Sequence, residues 1–115
     1  PRLAGRIQYV DADLGVVPLG PDDLVVASHA CGALTDTVLA RAAAARARVA
    51  VLPCCHDLDV CDPGPLAGWM PSPLAVDAMR AVALEQRGYR VRTQVIPERI
   101  TPMNRLLLGA PLTPA

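Results

Sequence analysis

A chain of 115 residues is expected to make one domain at most, or a piece of one, since single cores usually occupy about 100 to 200 residues. Eleven basic residues balance eleven acidic ones, so no overall field draws the chain onto nucleic acid or an acidic membrane, and a polyanion would need a local patch. An apolar fraction of 52% with 19% charged residues excludes wholesale disorder, while the apolar runs are too short to span a bilayer.

Taken in chain order, Arg6 to Val10 reads as the end of a strand. With Pro rather than Met at position 1, this raises the expectation that the chain begins inside a larger parent domain. A turn-rich stretch from Gly15 to Asp23 leads into Leu24 to Ser28 (LVVAS), a buried strand dense in β-branched residues. Thr35 to Arg48 has Leu34, Val38, Ala42 and Ala45 at helical spacing, with Thr35 or Asp36 as the candidate N-cap. Val49 to Leu52 is a second short strand, stopped by Pro53. Asp57 to Pro71 reads as loop from its closely spaced prolines and glycines.

The next helix carries Ser72 as N-cap, Pro73 at its first position and Gly88 as its stop, with Leu74, Ala78 and Val82 as its buried stripe. Tyr89 to Ile96 alternates as a strand with a wet, Arg-bearing face, Asn104 to Gly109 is a last strand, and the tail from Pro111 to Ala115 frays. Strands alternating with helices imply one α/β domain over residues 1–115. Its sheet is expected to be Rossmann-like, open and mostly parallel, closing in a C-terminal antiparallel hairpin at its edge.

In open α/β sheets ligands sit beyond the carboxyl ends of the strands. Directly after the strand Leu24 to Ser28 come His29, Ala30, Cys31 and Gly32. Directly after Val49 to Leu52 come Pro53, Cys54, Cys55 and His56. Both histidines and three of the four cysteines therefore gather at one end of two neighbouring strands.

Three readings compete for this cluster. The cysteines pack as small hydrophobes; or some of His29, Cys31, Cys54, Cys55, His56 and Cys61 hold a metal, against which stand the adjacent cysteine pair and the lack of a C-x2-C; or the imidazoles and backbone amides orient a reacting group in a crevice. The four cysteines lack a preceding signal-peptide pattern and two are adjacent, which points to a reducing cytoplasm rather than a disulfide scaffold. All eleven basic residues are Arg, a mark of a GC-rich coding sequence.

Several enzyme classes are excluded by direct count. A zinc deaminase would need a glutamate where Cys31 stands and a different second cysteine spacing. No two glycines are separated by a single residue, so there is no G-x-G cradle, and the absence of Lys removes a Walker loop. There is no G-x-S-x-G nucleophile elbow.

The pairing of SHACGALTD (Ser28 to Asp36) with VAVLPCCHDLDVC (Val49 to Cys61) resembles the second half of a class I S-adenosylmethionine-dependent methyltransferase. The resemblance is greatest to the subgroup with a His-x-Cys-Gly, Thr-Asp motif after the fourth strand and a Cys-Cys-His motif after the fifth. That subgroup is similar to a tRNA ribose 2'-O-methyltransferase family. YVDADLGVVPLGPDDLVVAS, upstream, resembles the passage of such enzymes that meets the adenine.

The resemblance spans roughly positions 7 to 111. It implies S-adenosylmethionine as cofactor, with Asp11 and Ala12, or Asp13 and Leu14, at the adenine, and Ser28 and His29 near the sulfonium. It implies Cys31, Gly32, Cys54, Cys55 and His56 facing the methyl acceptor, with His29 as general base, His56 in reserve and no resident metal. For Asp11 and Asp13 the plainer alternative is a solvated turn, and for Thr35 and Asp36 helix capping.

The glycine-rich loop and ribose-binding acid of such enzymes have no counterpart in these residues. The expectation is therefore a half-domain that needs elements it does not carry. The rival expectation is a non-catalytic α/β module binding a partner or zinc through its Cys and His residues.

RNA is one candidate acceptor, through a basic face of Arg87, Arg90, Arg92, Arg99 and Arg105, with Tyr9, Tyr89 and Trp69 to stack on bases. The alternative is a solvated strand surface. An exposed edge on the strand Leu24 to Ser28 predicts self-association, as a homodimer.

Overall fold

The computed structural model describes residues 5–113. Its elements are a 3-10 turn at Leu14–Val16, β1 at Leu24–Ser28, α1 at Leu34–Ala45 and β2 at Arg48–Leu52. A second 3-10 turn at Gly64–Gly68 is followed by α2 at Ser72–Gln86, β3 at Tyr89–Val95 and β4 at Arg105–Pro111. The segment from Arg6 to Val10, expected to end a strand, joins none. It is exposed, with Tyr9 89% accessible, and pairs with no strand among the described residues.

The four strands lie in the order β1-β2-β4-β3. β1 and β2 pair in parallel, from Leu24 opposite Arg48 to Ser28 opposite Leu52, while β4 is antiparallel to both its neighbours, so β3 runs in the same direction as β1 and β2. The sheet is thus mixed, with three strands in one direction, as a mostly parallel sheet requires, and one reversed. The β3–β4 hairpin forms as expected, but its second strand inserts against β2 and leaves β3 at the rim. With β4 running from Arg105 to Pro111, Leu107 and Gly109 reach Val51 and Val49.

Odd-numbered strand residues face one side, as the two-residue repeat of a strand requires. Val25, Ala27, Val49, Val51, Tyr89, Val91 and Leu107 pack there with Val38, Leu39, Ala42 and Ala43 of α1 and Leu84 of α2. Gly109 lies in the same layer because no larger residue fits. A Cβ there would stand 2.7 Å from Leu84 Cδ2, 3.1 Å from Tyr89 Cδ2 and 3.2 Å from Val49 Cγ1. The opposite side of β1 is bare, leaving Leu24 and Val26 exposed, so the strand expected to be buried is instead an exposed edge with one partner among the described residues.

α1 starts one residue before the expected helix, and its N-cap, Ala33, makes no side-chain bond. Thr35 and Asp36 are used for longer ties: Thr35 Oγ1 donates to Ala30 O at 2.5 Å, and Asp36 pairs with Arg80. The helix closes on Arg46, which takes the left-handed conformation (φ 57°) while Ala47 N donates to Ala42 O.

α2 begins at Ser72, with Pro71 rather than Ser72 at the cap, and ends before Gly88 (φ 84°), as expected. Its buried positions are Ala75, Val76, Arg80 and Leu84, not the stripe Leu74, Ala78 and Val82. Leu74 and Ala78 instead line a trough of about 390 Å³ against Thr93, Val95 and Leu107, and Val82 faces outward. The stripe turns because Arg80 is drawn inward by carboxylates.

The tail is tied down through Leu112, whose N–H donates to Gly88 O and whose carbonyl accepts from Arg46, so the expected fraying at Pro111 and Leu112 is not observed. Residues 114 and 115 of that tail lie outside the described residues. No helix among the described residues is long and apolar enough to cross a membrane.

Candidate functional site

Because β1 and β2 are parallel neighbours ending level at Ser28 and Leu52, the two Cys-bearing loops leave the sheet side by side. Gly32 N donates to Cys55 O at 2.8 Å and locks one loop to the other. Two consecutive turns in the first loop depend on left-handed backbone, at His29 (φ 58°) and Gly32 (φ 58°). Glycine takes that conformation freely, whereas at His29 it is strained, a condition that recurs where a side chain is held for use.

Three sulfurs meet at this junction. Cys31 and Cys54 Sγ lie 3.3 Å apart, and with Cys55 Sγ all three fall within 4.8 Å of one another. Cys31 and Cys55 are exposed and Cys54 is buried. The Cys31 thiol is pushed up to about 11, first by its hydrogen bond with Cys54, then by Cys55. Burial pushes the Cys54 thiol up, but the hydrogen bond from Cys31 and the backbone donors at Cys55 and Cys54 outweigh it, and the net shift is downward from 9.0. Of this pair Cys54 is therefore the thiol that gives up its proton more readily.

The remaining candidates separate from the sulfurs. His29 is exposed, and its imidazole makes no hydrogen bond among the described residues. Ser28 is exposed at the strand end. His56 turns inward: its side chain is 5% accessible and Nε2 donates to Asp77 Oδ1 at 2.9 Å. Cys61 is buried against Arg80 and Asp36, away from the other three thiols. Asp11, Ala12 and Asp13 are exposed ahead of the first 3-10 turn, where Asp13 Oδ1 accepts from Gly15 N at 2.8 Å. No hydrogen bond among the described residues joins them to either Cys-bearing loop.

Beneath the loops lies a charge network that sequence reasoning missed. Arg80 contacts Asp36 through Nε and Nη2 at 2.8 and 3.1 Å, Asp77 at 3.0 Å and the Gly32 carbonyl at 3.1 Å. Asp77 also accepts from Arg105 Nε at 2.8 Å. Burial alone would pull the Arg80 guanidinium down, but Asp36 and then Asp77 outweigh it and raise its pKa further. Two carboxylates and two guanidinium groups balance around His56, and the network ties α1, α2 and β4 to the floor of the site. The one signal in the sequence was Asp77 and Arg80 at a spacing of three, which reads equally well as a surface ion pair.

The basic face suggested for RNA is reduced. Arg105 is committed to Asp77, and Tyr89 is 1% accessible, with its hydroxyl directed at Ala42 O and Ala47 O, so it has no face to offer a base.

Residues 17–59 match a family model described as a methyltransferase domain. The matched segment carries β1, α1, β2 and both Cys-bearing loops, so this part of the chain is similar to a methyltransferase domain. No curated protein and no solved structure matches the chain.

Proposed function

We propose that the chain is the acceptor-side part of a class I S-adenosylmethionine-dependent methyltransferase domain. The observation that supports this best is that the segment similar to a methyltransferase domain is the one whose two loops converge at the carboxyl ends of parallel strands, where an open α/β sheet binds its ligand. A sheet in the order β1-β2-β4-β3 with β4 antiparallel agrees with the second half of such a fold, as does the sequence resemblance.

The residues fit one side of the cofactor. Ser28 and the strained, exposed His29 stand where it would pass over β1, and the sequence offers no glycine-rich turn for its methionine end. Asp11 and Ala12 would meet the adenine, since the Asp13 carboxylate is already engaged by Gly15.

The cofactor, when bound, supplies an electrophilic methyl group. This chain's part is to align the acceptor with it and to take the acceptor's proton. His29 is accessible for that proton. His56 has its Nε2–H held by Asp77, which orients the ring and leaves Nδ1 as its free nitrogen. Gly32, Cys31, Cys54 and Cys55 would border the acceptor. An RNA acceptor would lie along Arg90 and Arg92 on the outer side of β3, with Tyr9 and Trp69 exposed for stacking.

Titration of S-adenosylhomocysteine into the chain, alone and with any upstream coding sequence restored, tests the proposal. Binding that His29→Ala weakens while the circular dichroism spectrum stays unchanged supports it. Absence of binding to both forms refutes it.

A further inference from the structure

We infer that Cys31, Cys54 and Cys55 form a three-thiolate site for a zinc-type divalent cation, with its fourth position open to an external ligand. Three observations lead here. The first is distance. Zn–S bonds of about 2.3 Å in a tetrahedron place ligand sulfurs about 3.8 Å apart. The three sulfurs span separations from 3.3 Å to at most 4.8 Å, so sub-ångström adjustments would bring them into range.

The second is the backbone at the adjacent pair. Consecutive side chains on a strand point to opposite sides, which argues against Cys54 and Cys55 sharing an ion. Here β2 has ended at Leu52, and the bond from Gly32 N to Cys55 O turns the chain so that both sulfurs meet Cys31.

The third is exposure. Cysteines that merely fill a core are buried, but two of these three are at the surface, next to one that is not. Three protein ligands with a solvent-facing side make the open kind of zinc site rather than the closed structural kind. His56 and Cys61, which a count along the sequence offered as ligands, are excluded by their contacts with Asp77 and with Arg80.

Metal entry would release the thiol protons to solvent, so affinity would rise with pH until the thiols are ionised. The site stands on the sulfur geometry and does not need methyl transfer. If the methyltransferase proposal holds, the open position faces the acceptor side of the crevice and could take a soft acceptor atom directly.

The test is titration of the reduced, metal-free chain with Zn2+, and with Co2+ as a spectroscopic probe. One equivalent should bind, with a thiolate-to-cobalt charge-transfer band. Each of Cys31→Ser, Cys54→Ser and Cys55→Ser should weaken binding roughly a hundredfold or more and diminish the band. Cys61→Ser should bind as the parent does, with circular dichroism confirming that every variant folds. Binding unaffected by Cys31→Ser or Cys55→Ser overturns the inference. So does a reduced, folded chain that shows no charge-transfer band, including one whose Cys31 and Cys54 are found only as a disulfide before reduction. Metal binding with no S-adenosylhomocysteine binding to either form of the chain would uphold the site and refute the methyltransferase proposal, and the reverse result would do the opposite.

Discussion

Replacing Arg80 by Met keeps the helical propensity and much of the side-chain volume while removing the cation on which Asp36, Asp77 and the Gly32 carbonyl converge. Removing one partner of a fully buried ion pair costs about 3 to 5 kcal/mol, because the other charge is left unpaired. The Arg80 side chain is 4% accessible and that of Asp77 11%, but that of Asp36 is 47% accessible and can rehydrate. Asp77 also keeps Arg105 and His56.

The expected loss therefore lies at the low end, about 3 kcal/mol. A domain of this length has a total stability of about 6 to 17 kcal/mol, so the variant remains foldable. Asp36→Asn removes a half-exposed charge and retains an accepting oxygen, for a loss of roughly 1 kcal/mol. Urea unfolding followed by circular dichroism separates the two. At a slope of about 1.5 kcal/mol per molar, Arg80→Met lowers the midpoint by about 2 M and Asp36→Asn by less than half of that. Equal shifts in the two variants, or a shift for Arg80→Met too small to resolve, would refute a buried charge hub under the site.

Three further outcomes are expected. Gly109→Ala places a methyl group 2.7 Å from Leu84 Cδ2 and should cost about 1 to 3 kcal/mol, read as a lower Tm; an unchanged Tm would show that the layer between β4 and α2 yields easily. Burial raises the Tyr89 phenol above its ordinary 10.0, so the folded state holds that proton longer than the unfolded state does. Its contribution is full below pH 10 and is lost as pH rises through the folded value. Tyr89→Phe should flatten this alkaline loss while lowering stability at neutral pH by about 1 kcal/mol through the lost bonds to Ala42 and Ala47, and an unchanged alkaline profile would count against it. The bare side of β1 should support concentration-dependent self-association in sedimentation runs, abolished by Val26→Lys; a parent chain that is monomeric at every concentration would refute it.

Much of this molecule was legible in one dimension because local rules decide it. LVVAS becomes β1 at Leu24–Ser28 since a β-branched run flanked by turn residues has few other uses, and Pro73 and Gly88 bracket α2 because one is tolerated only in a helix's first turn and the other accepts a left-handed stop. The carboxyl-end position of HACG and PCCH followed from chain order alone, since both motifs directly follow strands that prove to be parallel.

Pairing partners and side-chain choices were settled only in three dimensions. Whether β4 lies at the rim or against β2 depends on which surface best fills the space beside Val49 and Val51, a matter of packing volume that no local pattern records. The buried side of α2 followed the carboxylates of Asp36 and Asp77, which hold Arg80 inside at a position where hydrophobic periodicity assigns a polar residue to water. Chain order gathered His29, Cys31, Cys54, Cys55 and His56 at one end of the sheet without deciding which of them touch. The tertiary structure joined Cys31, Cys54 and Cys55, bound His56 to Asp77 and enclosed Cys61 beside Arg80, because a hydrogen bond or a shared ion requires atoms within a few ångströms and chain distance does not determine that separation.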